Sequence, residues 1–141
     1  MKNTIMPAMK TALPGNLNAV VSSCIKYTHN TTGGSGNNSS SNVTATTESV
    51  FLLAEYEVFG TRACANSYEK NKQVQYAYFA NGNSKIFYQH SSAGTACHWW
   101  LRSPCCATTY DNCFCKVYTN GTASYEYASY SLGVAPAFVI G

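Results

Sequence analysis

The sequence predicts an α+β domain with short N-terminal helices and a mostly antiparallel, twisted sheet with long loops. Apolar residues recur at steps of three or four within residues 1–29, which is the period of a helix. Later segments alternate polar and apolar residues or form short apolar runs between turn residues, which is typical of strands. Helices first and strands last imply the α+β class.

Composition limits the functions that the chain can have. Its 141 residues are the size of one domain. Charged residues make up 11%, the formal net charge is +3 and the nine basic residues are scattered, so we expect no nucleic-acid partner. No apolar run is long enough to span a membrane, and the polar N-terminus predicts no signal peptide. Eleven Tyr with abundant Asn, Ser and Thr favour recognition by contact and hydrogen bonding.

The first third of the chain reads as a lead-in to the rest. We predict a helix that ends near Ala12, a turn at Pro14-Gly15 and a second helix from Leu17 to Lys26. Residues 30–47 are rich in Gly, Ser, Thr and Asn and predict a flexible loop. Residues 1–49 are therefore expected to be a helical lead-in and flexible loop of the same domain, with residues 50–141 as its core.

Short elements fill the middle of the chain. Residues 50–53 form an apolar run that predicts a buried strand, and residues 55–60 predict a helical turn that ends at Gly60. Residues 73–80 fit a helix or a strand. Residues 85–88 fit a strand, and the Asn81-Gly82-Asn83 sequence before it predicts a turn.

The last third predicts antiparallel strands. The aromatic block 97–104 ends at Pro104, which donates no ladder hydrogen bond. Residues 114–118 and 123–127 alternate around an Asn-Gly turn, which is a strong hairpin signal. Residues 134–140 predict a final strand.

Four segments together resemble a known family. They are FLLAEYEVFG (51–60), WWLRSP (99–104), the strand-turn-strand with Asn-Gly (114–127) and GVAPAFVI (133–140). The chain resembles a domain family of unknown function found in gut Firmicutes and their phages, although Ala135 stands where many members carry Arg. That family is similar to C-type-lectin-like proteins, to the formylglycine-generating group and to variable proteins of diversity-generating retroelements. The resemblance implies a C-type-lectin-like ligand-binding core over residues 50–141.

A rigid framework is predicted around the WWLRSP segment. Trp99 and Trp100 are neighbours on a strand and point to opposite faces. The Arg102 guanidinium has five donors, which suit loop carbonyls or the carboxylate of Glu55 or Glu57. A tryptophan that stacks on a sugar is the alternative interpretation. The predicted structural residues are Trp99, Trp100, Arg102, Phe114, Val117, Val134 and Phe138.

The segment between Pro104 and Gly133 carries the predicted binding surface. It holds five of the eleven Tyr and four of the seven Cys, with one Lys and one Glu. The resemblance to retroelement variable proteins implies diversification at adenine-rich codons, which yields Tyr, Ser, Asn, Cys, Asp and Thr but not Lys, Glu, Gln, Met or Trp. A plain Tyr-rich sheet face is the alternative. The predicted solvent-facing ligand contacts are Cys105, Cys106, Thr108, Tyr110, Asn112, Tyr118, Tyr125, Tyr127 and Tyr130.

The sequence offers no metal site, cofactor motif or catalytic residue. Seven Cys is an odd number, and the spacings of zero and one in Cys105/Cys106 and Cys113/Cys115 differ from those of zinc sites. We expect free thiols of a reducing compartment. His98 is interpreted as a loop or diversified residue. The GGSG segment at residues 33–36 lacks the lysine of a phosphate-binding loop.

These observations predict a ligand-binding display protein that is not an enzyme. The resemblance implies a phage or prophage protein that binds a bacterial surface protein or glycan, located on a phage tail or at the bacterial cell surface. It also implies a homo-oligomer, as tail-associated relatives are often trimers. The alternatives are a thiol oxidase of the formylglycine-generating type and a module that binds cell-surface glycan through an exposed Trp.

Overall fold

The computed structural model describes residues 4–141 and shows a small mixed α/β domain with mostly antiparallel sheets. Residues 1–3 of the predicted lead-in lie outside the described residues. Within residues 4–141, no helix is both long and apolar enough to cross a membrane. The helices are α1 (Ile5–Thr11), α2 (Gly15–Asn18), α3 (Glu55–Phe59) and α4 (Ala77–Ala80). The strands are β1 (Val21–Ser22), β2 (Cys24–His29), β3 (Val43–Glu48), β4 (Val50–Leu52), β5 (Phe87–Gln89), β6 (Ser92–Cys97), β7 (Trp99–Pro104), β8 (Cys113–Val117), β9 (Ala123–Tyr127) and β10 (Pro136–Ile140).

The described strands form four small sheets in which all strand pairs are antiparallel. One has the order β1–β10–β4 and another has the order β7–β8–β9. The other two are the hairpins β2–β3 and β5–β6. A parallel bridge between Trp99 and Gly133 connects β7 to the segment before β10. β7 therefore connects two sheets: it pairs with β8, and the bridge at Trp99 joins it to the segment that leads into β10.

Two predictions for the first third of the chain are wrong. The helix predicted from Leu17 to Lys26 ends already at Asn18, and the rest of that segment belongs largely to β1 and β2. β-Branched residues fit a pleated surface and find partners there: Val21 pairs with Ile140 and Ile25 with Thr47. The flexible loop predicted over residues 30–47 is also wrong for its last five residues. Residues 43–48 form β3, which pairs with β2 along its whole length.

Most of the later elements are confirmed. The run at residue 50 is the buried strand β4, and α3 ends at Gly60 with a positive φ of 70°. Residues 73–80, whose sequence fits a helix or a strand, contain the helix α4. The Asn120-Gly121 turn joins β8 to β9, with Gly121 at φ 84°. Glycine adopts such positive φ values at little cost. The glycines at positions 60 and 121 could therefore mark the end of α3 and the hairpin turn in the sequence.

The core consists of two apolar clusters that meet at β7. Trp99 belongs to the first cluster and Trp100 to the second, which confirms that the two rings point to opposite faces. Val117 is fully buried. Phe114 and Phe138 are half-buried and pack against the second cluster.

One predicted core residue is wrong. Val134 is 37% exposed. It lies between the Gly133 bridge and the start of β10, where its neighbour Ala135 packs against the first cluster instead. Side chains of adjacent extended residues point in opposite directions, so Val134 faces outward.

Candidate ligand-binding surface

A buried ion pair fixes the framework strand β7. The Arg102 guanidinium donates to both Glu57 carboxylate oxygens, at 2.5 and 2.8 Å, and also to the Leu52 carbonyl oxygen at 2.7 Å. Lys26 lies 3.3 Å from the same carboxylate. Burial alone raises the pKa of Glu57, but the hydrogen bonds and charge of Arg102 outweigh it and hold this pKa below its usual value. The predicted contact between Arg102 and a carboxylate is thus confirmed for Glu57, and Glu55 has a different role.

The Glu55 carboxylate organises the loop after α3. It accepts hydrogen bonds from the backbone N–H groups of Ala63, Cys64 and Ala65, at 2.8 to 3.1 Å. Burial raises the pKa of Glu55, and the three amide donors partly oppose that shift. Glu55 therefore acts as a buried hydrogen-bond acceptor that holds the turn at residues 63–65 in place.

A second polar group joins β2 to the loop that precedes α4. Glu69 accepts hydrogen bonds from the His29 backbone N–H at 2.9 Å and from the Ser103 hydroxyl at 2.7 Å. The Asn66 amide donates to His29 Nδ1 at 2.9 Å. Burial raises the pKa of Glu69 and lowers the pKa of His29. These buried groups satisfy one another, so they hold loops in place and leave no free donor for a ligand.

The loop that carries Tyr110 rests on the glycine-rich segment. The backbone N–H groups of Gly33, Gly34 and Ser35 donate to carbonyl oxygens of Asp111, Cys105 and Thr108, at 3.0, 2.8 and 2.6 Å. A Cβ on Gly33 would lie 2.7 Å from the Cys105 carbonyl oxygen. The GGSG segment therefore packs closely beneath the loop that joins β7 to β8.

Most of the predicted contact residues reach solvent. Tyr110, Tyr118, Tyr125 and Tyr130 are 52%, 43%, 39% and 58% exposed. Asn112 is exposed, and Thr108 and Tyr127 are half-buried. Tyr127 also packs against the first core cluster, so its ring is shared between surface and core.

The structure separates these residues into two places. Tyr125 and Tyr127 are the register partners of the buried Cys115 and Cys113, so all four side chains lie on one face of the sheet. The Tyr110 ring meets the Tyr127 ring edge-on at 5.6 Å, and the Tyr130 N–H donates to the Tyr127 carbonyl. We call the group Tyr110, Tyr125, Tyr127 and Tyr130 the tyrosine surface.

Tyr118 lies apart from the tyrosine surface. It follows Val117 and therefore points to the opposite face, where its ring meets the His98 ring edge-on at 4.3 Å. On that face Lys116 and Glu126 form an ion pair at 3.0 Å. Burial, followed by the charge of Lys116, lowers the pKa of His98. His98 therefore lies in the connection between β6 and β7, as its interpretation as a loop residue predicts, and its ring is half-buried in this polar cluster.

Cys105 and Cys106 do not face solvent, which corrects their assignment as contact residues. They are 0% and 2% exposed. The chain turns inward after Pro104, where the Cys105 N–H donates to the Cys113 carbonyl and the Cys106 N–H donates to the Cys64 carbonyl. Backbone hydrogen bonds on both sides fix these residues beneath the surface.

The buried thiols form a compact cluster. Ligand atoms of Glu55, Cys64 and Cys115 lie within 4.8 Å of one another, the one such potential metal-binding group in residues 4–141. The Glu55 oxygens already accept three backbone N–H groups. The pKa values of Cys64 and Cys115 are raised to about 12. A thiol hydrogen bond with Cys105 lowers the pKa of Cys64, but a thiol hydrogen bond with Cys115 and burial together outweigh it, and burial is the largest cause for Cys115. Both thiols are therefore protonated at neutral pH, and a metal at this cluster would have to displace their protons.

A cleft of about 870 Å³ lies beside β7, between the β5–β6 hairpin and residues 131–136. Phe87, His98 and Trp99 are among its lining residues. The Trp99 ring is stacked on Phe87 with a centroid distance of 4.4 Å, and its Nε1 donates to the Lys85 carbonyl. Trp99 is only 1% exposed, so it forms the floor of this cleft and offers no open face to a ligand.

Sequence reasoning missed the residues that support the surface. Glu69, His29 and Asn66 are buried polar residues with partners far along the chain, so no local pattern reveals them. Glu55 was considered only as a partner of Arg102. Adjacent glycines at Gly33 and Gly34 were the one available signal, because paired glycines can mark a close backbone approach as well as flexibility.

Comparison with known proteins gives one match. The model of a family described as a domain of unknown function, DUF6273, matches residues 9–141. The searches of curated proteins and of solved structures found no significant match.

Proposed function

We propose that this chain, which belongs to the DUF6273 family, is a ligand-binding display domain whose tyrosine surface contacts a bacterial surface protein or glycan. The proposal includes a phage or prophage origin, diversification by a retroelement and a location on a phage tail or at the bacterial cell surface. It also includes a C-type-lectin-like fold and assembly into a homo-oligomer. No catalytic step is part of this function.

One observation carries the proposal: exposed phenol rings stand on a framework of buried ion pairs and tryptophans. Tyr110, Tyr125 and Tyr130 are each more than a third exposed. Strand β7, at the other edge of the β7–β8–β9 sheet, is held by the Arg102–Glu57 pair. Tyr rings give a large contact area at low entropic cost, which suits a surface that binds by contact. Substitutions at such exposed positions change the free energy of unfolding little.

The burial of the thiols supports a display function over a thiol oxidase. A reactive thiol needs access to substrate and a lowered pKa. Cys105, Cys106, Cys113 and Cys115 are all buried. Burial is the largest cause of the raised pKa of Cys106, about 11. The Cys106 sulfur lies 3.5 Å from His29 Nδ1, but His29 is itself only 2% exposed.

The tryptophans argue against glycan binding through an exposed Trp. Trp99 and Trp100 are 1% and 6% exposed, and both belong to core clusters. Stacking on a sugar needs an open ring face, which neither side chain presents. Any glycan would therefore have to bind through the tyrosines.

Binding is tested with the fluorescently labelled domain on intact cells from a panel of gut bacterial strains, measured by flow cytometry. We expect the triple variant Tyr110→Ala, Tyr125→Ala, Tyr130→Ala to lose binding while its melting temperature stays close to that of the parent. The matched control is Tyr68→Ala, Tyr78→Ala, Tyr88→Ala, which removes three other exposed rings. Equal loss of binding in both variants would contradict the proposal.

Diversification is tested by sequencing the gene in sibling isolates. We expect changes to concentrate at adenine-bearing codons of the exposed residues between Pro104 and Gly133, and to spare buried Cys105 and Cys106. Changes spread evenly over the chain would refute the retroelement part of the proposal and leave the binding part intact.

A further inference from the structure

Strand β9 is a free sheet edge. Among residues 4–141 it pairs with β8 alone. The Tyr118 N–H donates to the Thr122 carbonyl and the Ala128 N–H donates to the Asn112 carbonyl. Hydrogen-bonded and non-hydrogen-bonded pairs alternate along an antiparallel ladder, so Ser124 and Glu126 direct their backbone groups toward β8.

The other residues of β9 direct their backbone groups outward. Tyr127 satisfies both of its groups locally, because its N–H donates to the Glu126 carboxylate at 3.2 Å and its carbonyl accepts from Tyr130 at 3.0 Å. The N–H and carbonyl groups of Ala123 and Tyr125 have no such partner among the described residues. β9 therefore presents two outward donors and two outward acceptors in a row.

Nothing in β9 blocks the approach of another strand. Natural edge strands are protected by Pro, by an outward Lys or by a bulge. The sequence of β9, ASYEY, has no Pro or Lys, and its register with β8 is regular over all five residues. Its one charged residue, Glu126, is held in an ion pair by Lys116.

Aromatic rings stand directly beside this edge. Tyr125 and Tyr127 project from β9 itself on one face of the sheet, and Tyr110 packs against Tyr127. In a sheet, side chains directly opposite each other on neighbouring strands interact, and aromatic pairs with aromatic or β-branched residues are favourable. An added strand would thus meet tyrosine rings at alternate positions.

We propose that the partner of the tyrosine surface is an extended polypeptide segment that adds to β9 as a fourth strand of the β7–β8–β9 sheet. The backbone groups of Ala123 and Tyr125 supply the ladder hydrogen bonds, and the rings of Tyr125, Tyr127 and Tyr110 select aromatic or β-branched side chains at alternate positions of the segment. This inference rests on the proposed function and narrows its ligand from protein or glycan to polypeptide.

A second copy of this chain is the other strand donor that the edge could accept. A second copy paired along β9 would meet the rings of Tyr125 and Tyr127, which the proposed function keeps available for the ligand. A segment of a different protein is the ligand itself, and it leaves the proposed homo-oligomer to assemble through another face. The inference therefore commits to a different polypeptide.

The probe is a library of random linear peptides, selected on the immobilised domain, with affinities of the enriched peptides measured by calorimetry. Ala123→Pro removes one outward N–H without touching any Tyr or any β8–β9 hydrogen bond, and an outward-facing Pro is tolerated at a sheet edge. The matched control is Ala45→Pro in β3, where Ala45 faces Tyr27 in a non-hydrogen-bonded pair of a second free edge that has no aromatic residue.

We expect Ala123→Pro to weaken the enriched peptides about tenfold or more, the cost of a lost hydrogen bond and a steric block, with no change for Ala45→Pro. Amide hydrogen exchange at Ala123 and Tyr125 of the unmodified domain should slow when peptide binds. That second measurement decides the question if Ala123→Pro fails to fold.

The failures are distinguishable. Peptide binding that needs the tyrosines but leaves exchange at Ala123 and Tyr125 unchanged would overturn the added strand and leave the proposed function standing. Tyrosine-dependent binding to cells with no enriched peptide would do the same. A dimer seen by sedimentation and dissociated by Ala123→Pro would assign the edge to a second copy. Binding that never depends on the tyrosines would overturn both proposals.

Discussion

The α-carbon of Gly33 lies so close to the Cys105 carbonyl oxygen that a methyl group on Gly33 would sit 2.7 Å from that oxygen. Gly34 donates its N–H to the same oxygen at 2.8 Å. The segment that looks most flexible in sequence is thus the support of the loop that carries Tyr110. Contact between these two backbones therefore fixes the position of the loop that carries Tyr110, which is one part of the tyrosine surface.

Gly33→Ala should therefore destabilise the domain by about 1–3 kcal/mol, the usual cost of overpacking against an atom that cannot move away. Urea denaturation measures this as a lower midpoint with an unchanged slope. Gly36→Ala is the matched control, because nothing lies within 4 Å of a Cβ at that position. Equal stability of the two variants would show that the segment does not support the loop.

The Arg102–Glu57 pair should be the most sensitive polar contact of the framework. Side-chain exposures are 13% for Arg102 and 6% for Glu57, and removing one partner of a buried pair leaves an uncompensated charge. We expect Glu57→Gln to lower the free energy of unfolding by about 3 kcal/mol, measured by urea denaturation at pH 7. Asp111→Asn removes an exposed carboxylate and should stay within about 0.5 kcal/mol of the parent.

The same pair predicts how stability depends on pH. The pKa of Glu57 is lowered in the folded state, so its contribution is present above the unfolded value of about 4.3 and is lost as the pH falls through the folded pKa. The difference in unfolding free energy between the parent and Glu57→Gln should shrink below about pH 4. Glu55 and Glu69 have raised pKa values and act in the opposite direction, but they are common to both proteins and cancel in the difference. A difference that stays constant down to pH 3 would contradict this role of the pair.

Local signals predicted the second half of the fold and missed part of the first. The Asn120-Gly121 turn and the Pro at residue 104 act on their immediate neighbours, so the hairpin and the end of β7 could be predicted. Val21 and Ile25 have helical spacing, yet their strand partners, Ile140 and Thr47, lie far along the chain. Tertiary pairing overrode the local pattern there.

The candidate surface was predictable only where composition reflects exposure. Tyr110, Tyr125 and Tyr130 follow the compositional bias and do reach solvent. Cys105 and Cys106 share that bias but are buried, because backbone hydrogen bonds to residues 113 and 64 pull the chain inward after Pro104. Composition carries no information about such a turn.

Thiol reactivity should separate the cysteines into two groups. Cys24 and Cys97 are partly exposed, whereas the other five are buried, and burial is the largest cause of the raised pKa of Cys106 and Cys115. We expect Ellman's reagent to modify Cys24 and Cys97 in the native domain and all seven thiols in guanidinium. Mass spectrometry of the modified peptides identifies the sites. Rapid native modification at Cys105 or Cys106 would show that the segment after Pro104 opens to solvent.

The division between framework and surface should appear as a stability difference among single aromatic-to-alanine variants. Trp100 is 6% exposed in the second core cluster, so Trp100→Ala should cost about 3–5 kcal/mol. Tyr125→Ala and Tyr130→Ala should stay within about 0.5 kcal/mol. Tyr127→Ala should cost an intermediate amount, about 1–2 kcal/mol, because its ring packs against the first cluster and against Tyr110.

Urea denaturation of these four variants, with far-UV circular dichroism and tyrosine fluorescence as independent probes, measures that order. Coincident transitions would license the comparison of free energies. If Tyr130→Ala cost as much as Trp100→Ala, its ring would be part of the core, and a surface free to change while the framework stays fixed could not be built from it. An order with Trp100 highest, Tyr127 next and Tyr125 and Tyr130 near zero is what a display surface requires, because only residues that contribute little to folding can be exchanged for binding.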